Sequence, residues 1–182
     1  MKASVKIASG VSLCFLTLAL CAACKKEERA LMFANQETKI ESFVSKCLAD
    51  TTAVRVEYNG GSVRLVLTEG DDVDLNSRGT VTFLYAGYDF TSGNINQTKM
   101  FVTNNPALSW DVSDSTVFQP VRVSMADGSL MEGLQKGLEG VRAGEECYII
   151  FSGKYGLGKN RLGTIPANAP LAFHLWIQTV EN

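Results

Sequence analysis

The chain has 182 residues, with 17 basic and 19 acidic side chains and a formal net charge of −2. That length suits one domain with a substantial core. Scattered charge of slightly acidic balance excludes nucleic acid as a partner, because a basic stripe supplies that affinity.

Lys2 and Lys6 precede an apolar run from Ile7 to Ala23. The run is too short, and too closely followed by charge, for a comfortable membrane span. Such a leader is set aside from fold reasoning. Its removal takes two lysines and moves the net charge from −2 to −4. The run ends Leu20-Cys-Ala-Ala-Cys24, which resembles the lipobox of bacterial lipoproteins, with Cys21 where leucine is usual. The resemblance implies a signal peptide over residues 1–23 and a lipid anchor on Cys24 that contacts the membrane. An ordinary secretory signal cut nearby is the alternative. Lys25-Lys-Glu-Glu28 lacks the aspartate of an inner-membrane retention signal. The expected location is therefore the cell envelope, on an outer membrane, facing the periplasm or the cell surface.

Ile40, Phe43, Val44, Cys47 and Leu48 fall at helical spacing, one apolar stripe. Asn35 followed by Glu37 suggests its start, and Asp50-Thr-Thr its end. Residues 53–58 and 62–67 alternate as strands around Asn59-Gly60-Gly61, a strong hairpin signal. Residues 80–85 form the next strand. From Tyr85 to Leu130 lies a long polar stretch with a strand-like Lys99–Thr103, Asn104-Asn-Pro106 and Trp110, a local anchor rather than a ligand platform. Leu130, Leu134, Leu138 and Val141, with Met131 beside them, make the stripe of a short helix. Gly133, Gly137 and Gly140 weaken it by about 1 kcal/mol each relative to alanine, so tertiary packing or close approach must hold it. An apolar strand ending at Phe151, a Gly/Pro-rich loop and a terminal strand follow. On that last strand Leu171, Phe173, Leu175 and Ile177 share one face, and Ala172, His174 and Trp176 the other.

Most familiar chemistries fail on residue count. Gly153 to Lys159 nearly spells a phosphate-binding loop, but Asn160 replaces the magnesium-holding hydroxyl and Gly163 and Pro166 prevent a following helix. His174 is the single histidine and has no acid or nucleophile near it in sequence. Apart from leader and lipidation cysteines, only Cys47 and Cys147 remain, too few for structural zinc. Both fall on apolar faces, as two buried thiols or one disulfide. Asp71, Asp72, Asp111 and Asp114 lack the spacing of a calcium loop. No metal and no cofactor is expected.

From about Gly61 to Val180 the order of elements resembles FKBP-type peptidyl-prolyl isomerases, interrupted once by an insertion near 88–120. The resemblance implies an α+β fold, with an FKBP-like curved antiparallel sheet wrapped on a short helix, plus an extra N-terminal helix. Residues 24–58 would then be tether, amphipathic helix and leading strand, and 59–182 the domain itself. It implies catalytic roles for Tyr85 at the pocket edge, for the backbone N–H of Met131 as donor to the substrate carbonyl, and for Phe173 on the last strand. Phe101, Val121, Leu130, Leu134, Leu157 and Ile165 would complete the substrate pocket. Leu134 stands where the family has tryptophan, Val102 where it has an acid, and Leu157 where a loop tyrosine donates to substrate. Val121 stands in place of a second wall phenylalanine. The implied function is cis–trans isomerisation of Xaa-Pro bonds in exported proteins, with reduced activity and with proline-containing polypeptides as partners. A non-catalytic binding or chaperone module on the same fold is the alternative.

Overall fold

The computed structural model describes residues 9–108 and 118–182, with side chains from Lys25 onward. Trp110, Asp111, Asp114 and the side chain of Cys24 lie outside the described residues. Residues up to Asn35 form one unit and Gln36–Asn182 another.

Helix α1 spans Ser9–Ala49 and so begins well before Asn35. Lys25 to Asn35 is rich in Ala, Leu, Met, Glu, Lys and Arg, all strong helix formers, which carry the helix through the expected start. In the second unit Ile40, Val44 and Cys47 of α1 are buried, whereas Leu48 is 46% exposed. The stripe runs out there because the chain turns away: Thr51 takes φ 60°, and the Thr52 N–H donates to Asp50 Oδ1 at 3.0 Å.

Strands β1 (Arg55–Asn59) and β2 (Ser62–Thr68) form the expected hairpin, with Asn59 paired to Ser62 across Gly60-Gly61. The rest are β3 (Thr80–Asp89), β4 (Met100–Thr103), β5 (Val121–Ser124), β6 (Glu146–Phe151) and β7 (Leu171–Glu181). Among the described residues all pairings are antiparallel, in the order β1-β2-β6-β7-β3-β4. The side of β3 away from β7 is shared: β5 pairs with Thr80–Phe83 and β4 with Ala86–Tyr88.

The α+β class and the antiparallel sheet are as expected, but the sheet is not curled around one helix. Helix α2 (Glu132–Leu138) packs on one face, burying Leu134 and Leu138 with Phe83, Ile149, Phe151 and Leu175. The other face is covered by Ile40, Val44 and Cys47 of α1, against Val63, Leu65, Ile150 and Ala172. A sheet that must present both faces to helices stays open and cannot wrap either one. Cys47 and Cys147 belong to these opposite cores, and both are free thiols.

The glycines of α2 are there for contact. A Cβ on Gly133 would lie 2.3 Å from the Phe151 ring, and one on Gly137 2.2 Å from Ile149. Beneath the end of α2 lies Arg64, 2% exposed. Its guanidinium donates to the carbonyls of Gly137 (3.0 Å), Glu139 (2.7 Å) and Gly140 (3.1 Å), groups that a helix terminus leaves without partners. Its Nε lies 3.2 Å from Oε1 of Glu145, itself 1% exposed.

Candidate functional site

On β3, Phe83 and Tyr85 are two residues apart and share the face under α2. Gly87 comes next on that face, opposite Phe173 of β7 on one side and Val102 of β4 on the other. A Cβ at Gly87 would lie 2.8 Å from Phe101 and 3.1 Å from Phe173. Its absence lets the Phe101 ring reach across β3 and meet Phe173 edge-on, with centroids 6.1 Å apart and planes at 84°. That is a favoured geometry for aromatic pairs. Phe151 stacks behind Phe173, centroids 6.0 Å apart.

Above these rings opens a cavity of about 570 Å³. Its volume fits the range of small-ligand sites, roughly 300–1,000 Å³. Tyr85, Phe101, Val121 and Phe173 border it from the sheet, and Leu130, Met131 and Leu134 from the approach to α2 and its first turn. No charged side chain borders it among the described residues. The Met131 N–H donates to no described group, whereas the neighbouring Gly133 N–H is taken by the Tyr155 carbonyl at 2.9 Å. The Tyr85 hydroxyl also bonds no described side chain, and Val102 borders the cavity beside it.

Two expected pocket residues are elsewhere. Ile165 is 2% exposed and part of the core, and Leu157 packs against the same core without bordering the cavity. In their place the loop contributes Leu162 and Gly163. The reason is a tight turn: Leu162 and Ile165 bond each other's backbone at 2.9 and 3.2 Å, which sends the tip to the rim and its closing residue inward.

Phe83 and Gly87 were legible from the period-two pattern running through Tyr85. Asn104 was not. It is 4% exposed, accepts the Tyr85 N–H on Oδ1 at 2.6 Å and donates from Nδ2 to the Gln119 carbonyl at 2.9 Å. The amide thus ties β3 to the chain entering β5, where Val121 stands. In the sequence it looks like any loop asparagine.

Residues 153–159 form turns with no helix after them. His174 lies on the α1 side of the sheet, where its Nε2 is 2.8 Å from Glu146 Oε1 and its ring packs tilted against Trp176, with centroids 3.8 Å apart. Burial pushes its pKa below the usual imidazole value, against the pull of Glu146.

The profile of the FKBP-type peptidyl-prolyl cis-trans isomerases matches residues 67–178. The chain belongs to this family. Its fold is shared with FkpA from Escherichia coli, at 18% identity over 95% of this chain and 73% of that one, TM-score 0.53. It is shared also with the N-terminal domain of FKBP42 from Arabidopsis thaliana, at 15% identity over 70% and 93%, TM-score 0.53. A peptidyl-prolyl cis-trans isomerase from Pseudomonas syringae aligns at 17% identity over 81% and 96%, TM-score 0.52. No curated protein matches the chain by sequence.

Proposed function

We propose that the chain isomerises Xaa-Pro bonds of exported polypeptides, at reduced rate, in the apolar cavity beneath α2. The observation that carries this is the cavity itself: an aromatic floor of Phe101 and Phe173, with the N–H of Met131, which bonds no other described group, at its side. Rotation about a peptide bond costs about 18–20 kcal/mol because the C–N bond is partly double. For Xaa-Pro both isomers are close in energy but exchange over tens to hundreds of seconds. Nothing covalent has to happen. A site that binds the twisted amide more tightly than either planar form lowers the barrier. Apolar walls favour the twisted form, which has lost the charge-separated resonance that water stabilises. Met131 N–H is the donor that holds the substrate carbonyl, Phe173 seats the proline ring, and Tyr85 stands at the edge.

Reduced rate follows from the missing acid. With Val102 in its place, no described side chain orients the Tyr85 hydroxyl. Exchange NMR on a Leu-Pro peptide should show slow turnover by the wild type. Val102→Asp should raise kcat/KM about two- to tenfold, the worth of one hydrogen bond, and have no effect in a Tyr85→Phe background. A peptide that binds in the cavity without being turned over, by either variant, would favour the second reading, a non-catalytic binding module. The exposed rim residues Val102 and Leu162, 36% and 49% accessible, suit that reading.

The leader motif places this activity in the cell envelope through a lipid on Cys24. Cells fed a labelled fatty acid should mark the wild type and not Cys24→Ala. Label that survives the substitution removes the anchor from the account.

A further inference from the structure

The long loop between β6 and β7, residues 152–170, carries the rim residues Leu162 and Gly163. Its own backbone bonds fold its middle: Asn168 N–H donates to the Gly158 carbonyl at 2.6 Å, and Asn160 N–H to that of Leu157 at 3.1 Å. At its neck the two ends come together without pairing. Gly153 lies so close to Asn168 that a Cβ there would sit 1.9 Å from the Asn168 oxygen. Asn168 holds φ 56°, an uncommon conformation for a residue with a side chain.

What closes the neck comes from far away in the chain. Gln36, on α1, accepts the Gly153 N–H on Oε1 at 2.9 Å. It donates from Nε2 to the Asn168 carbonyl at 2.8 Å. The side-chain amide thus stands in for a peptide group, one donor and one acceptor, between two ends of the loop that do not bond each other. The bonds cross 117 and 132 residues of sequence. The same loop holds the far side of the pocket, since the Tyr155 carbonyl takes the Gly133 N–H of α2. The adjacent turn of α1 is itself seated, with Lys39 Nζ on the Thr91 carbonyl at 2.8 Å and Phe43 edge-on to Phe90. Gln36 is therefore a fixed post rather than a mobile surface side chain.

We propose that Gln36 is a positioning residue of the pocket: by clamping the neck of the 152–170 loop it sets where Leu162 and Gly163 stand over the cavity. The kinetic consequence rests on the isomerase reading; the clamp itself does not. Substrate binding is then governed in part from α1, an element that touches no substrate. The residue acts on KM and not on the twisted state, because it shapes the rim and bonds nothing in the cavity.

The test uses the whole chain as wild type, Gln36→Leu and Gln36→Glu, at pH 7 and at about pH 4, below the usual glutamate value. Two bonds are lost in Gln36→Leu, so the Gly153 amide should lose protection from hydrogen exchange about tenfold or more relative to wild type at the same pH. The Leu162 methyl shifts should move with it. For a Leu-Pro peptide KM should rise about three- to tenfold with kcat within about twofold. Gln36→Glu separates clamping from packing. Its carboxylate at pH 7 accepts from Gly153 but repels the Asn168 oxygen, and should behave like the leucine variant. Once protonated at about pH 4 it regains a donor, so protection and KM should return toward wild type while Gln36→Leu stays impaired. Unchanged Gly153 protection in both variants, or a Gln36→Glu variant deaf to pH, overturns the proposal. If the wild type turns over no peptide, the isomerase reading fails alone, and the exchange and methyl readouts still decide whether Gln36 holds the loop.

Discussion

Arg64→Ala should lower the free energy of unfolding by about 3–5 kcal/mol, the usual cost of stranding one partner of a buried ion pair. Glu145 is 1% exposed and would lose the guanidinium 3.2 Å away. The Cys147 thiol and Arg55, whose guanidinium lies 3.6 Å from the other Glu145 oxygen, compensate only in part. The carbonyls of Gly137, Glu139 and Gly140 would lose their donor as well. Urea melts measure the loss. The double replacement Arg64→Met with Glu145→Leu should recover much of it, since apolar residues of similar volume remove the stranded charge.

The pH dependence of that loss has a definite sign. Burial raises the Glu145 pKa above its ordinary value, with Arg64 pulling it back. Removing Arg64 raises it further. A carboxyl with a raised folded pKa binds protons more readily in the native state, so its stability contribution is present at low pH and lost as pH rises through that pKa. The gap between Arg64→Ala and wild type should therefore be widest near neutrality and shrink on acidification. Asp74, Glu69 and Glu181 are held low by their arginine partners and act in the opposite sense. Glu181 is unaffected by Arg64, and the minor pull of Arg64 on Asp74 and Glu69, lost in the variant, widens the same gap toward neutrality.

How much of this was legible in the sequence depends on whether a feature is local. The period-two pattern of β7 gave its faces correctly, because from Leu171 to Ile177 the strand runs without a shift, and its bulge against β3 falls beyond Ile177. Helical spacing found Leu134 and Leu138, whereas Leu130 and Val141 of the same stripe lie outside α2. Of the two readings of its glycines, the close approach is the one seen, against Phe151 and Ile149. The open sheet was not legible. It depends on α1 covering the second face, and an amphipathic stripe does not say what it packs on. Nothing local marks Arg64 as buried, because its burial is decided by the arrival of α2 some seventy residues later. Leu157 was placed in the pocket by alignment alone, whereas the Leu162–Ile165 turn decides which loop residues reach the rim. Gln36 carried no signal at all. A glutamine at the start of a stripe becomes meaningful only when the loop neck it closes has been built.

Phe173→Ala should cost about 3–5 kcal/mol as well, by the transfer of a buried ring plus the cavity left behind. Phe173 is 3% exposed and sits between two rings, stacked on Phe151 and edge-on to Phe101. It therefore serves the core and the pocket floor together, and its loss cannot report on function alone. Phe101 separates the two roles. It is half-buried on the edge strand β4, borders the cavity and among the described residues meets one ring, that of Phe173. Phe101→Ala should be milder in denaturant melts than Phe173→Ala, yet impair proline-peptide binding at least as severely, because it removes a wall. Phe173→Leu should stay folded, fill part of the space and still weaken binding. If Phe173→Ala is nearly silent in melts, α2 does not pack on β7 as described. If Phe101→Ala binds peptide like the wild type, the proline ring sits elsewhere, and the cavity is a packing gap under the helix rather than a site.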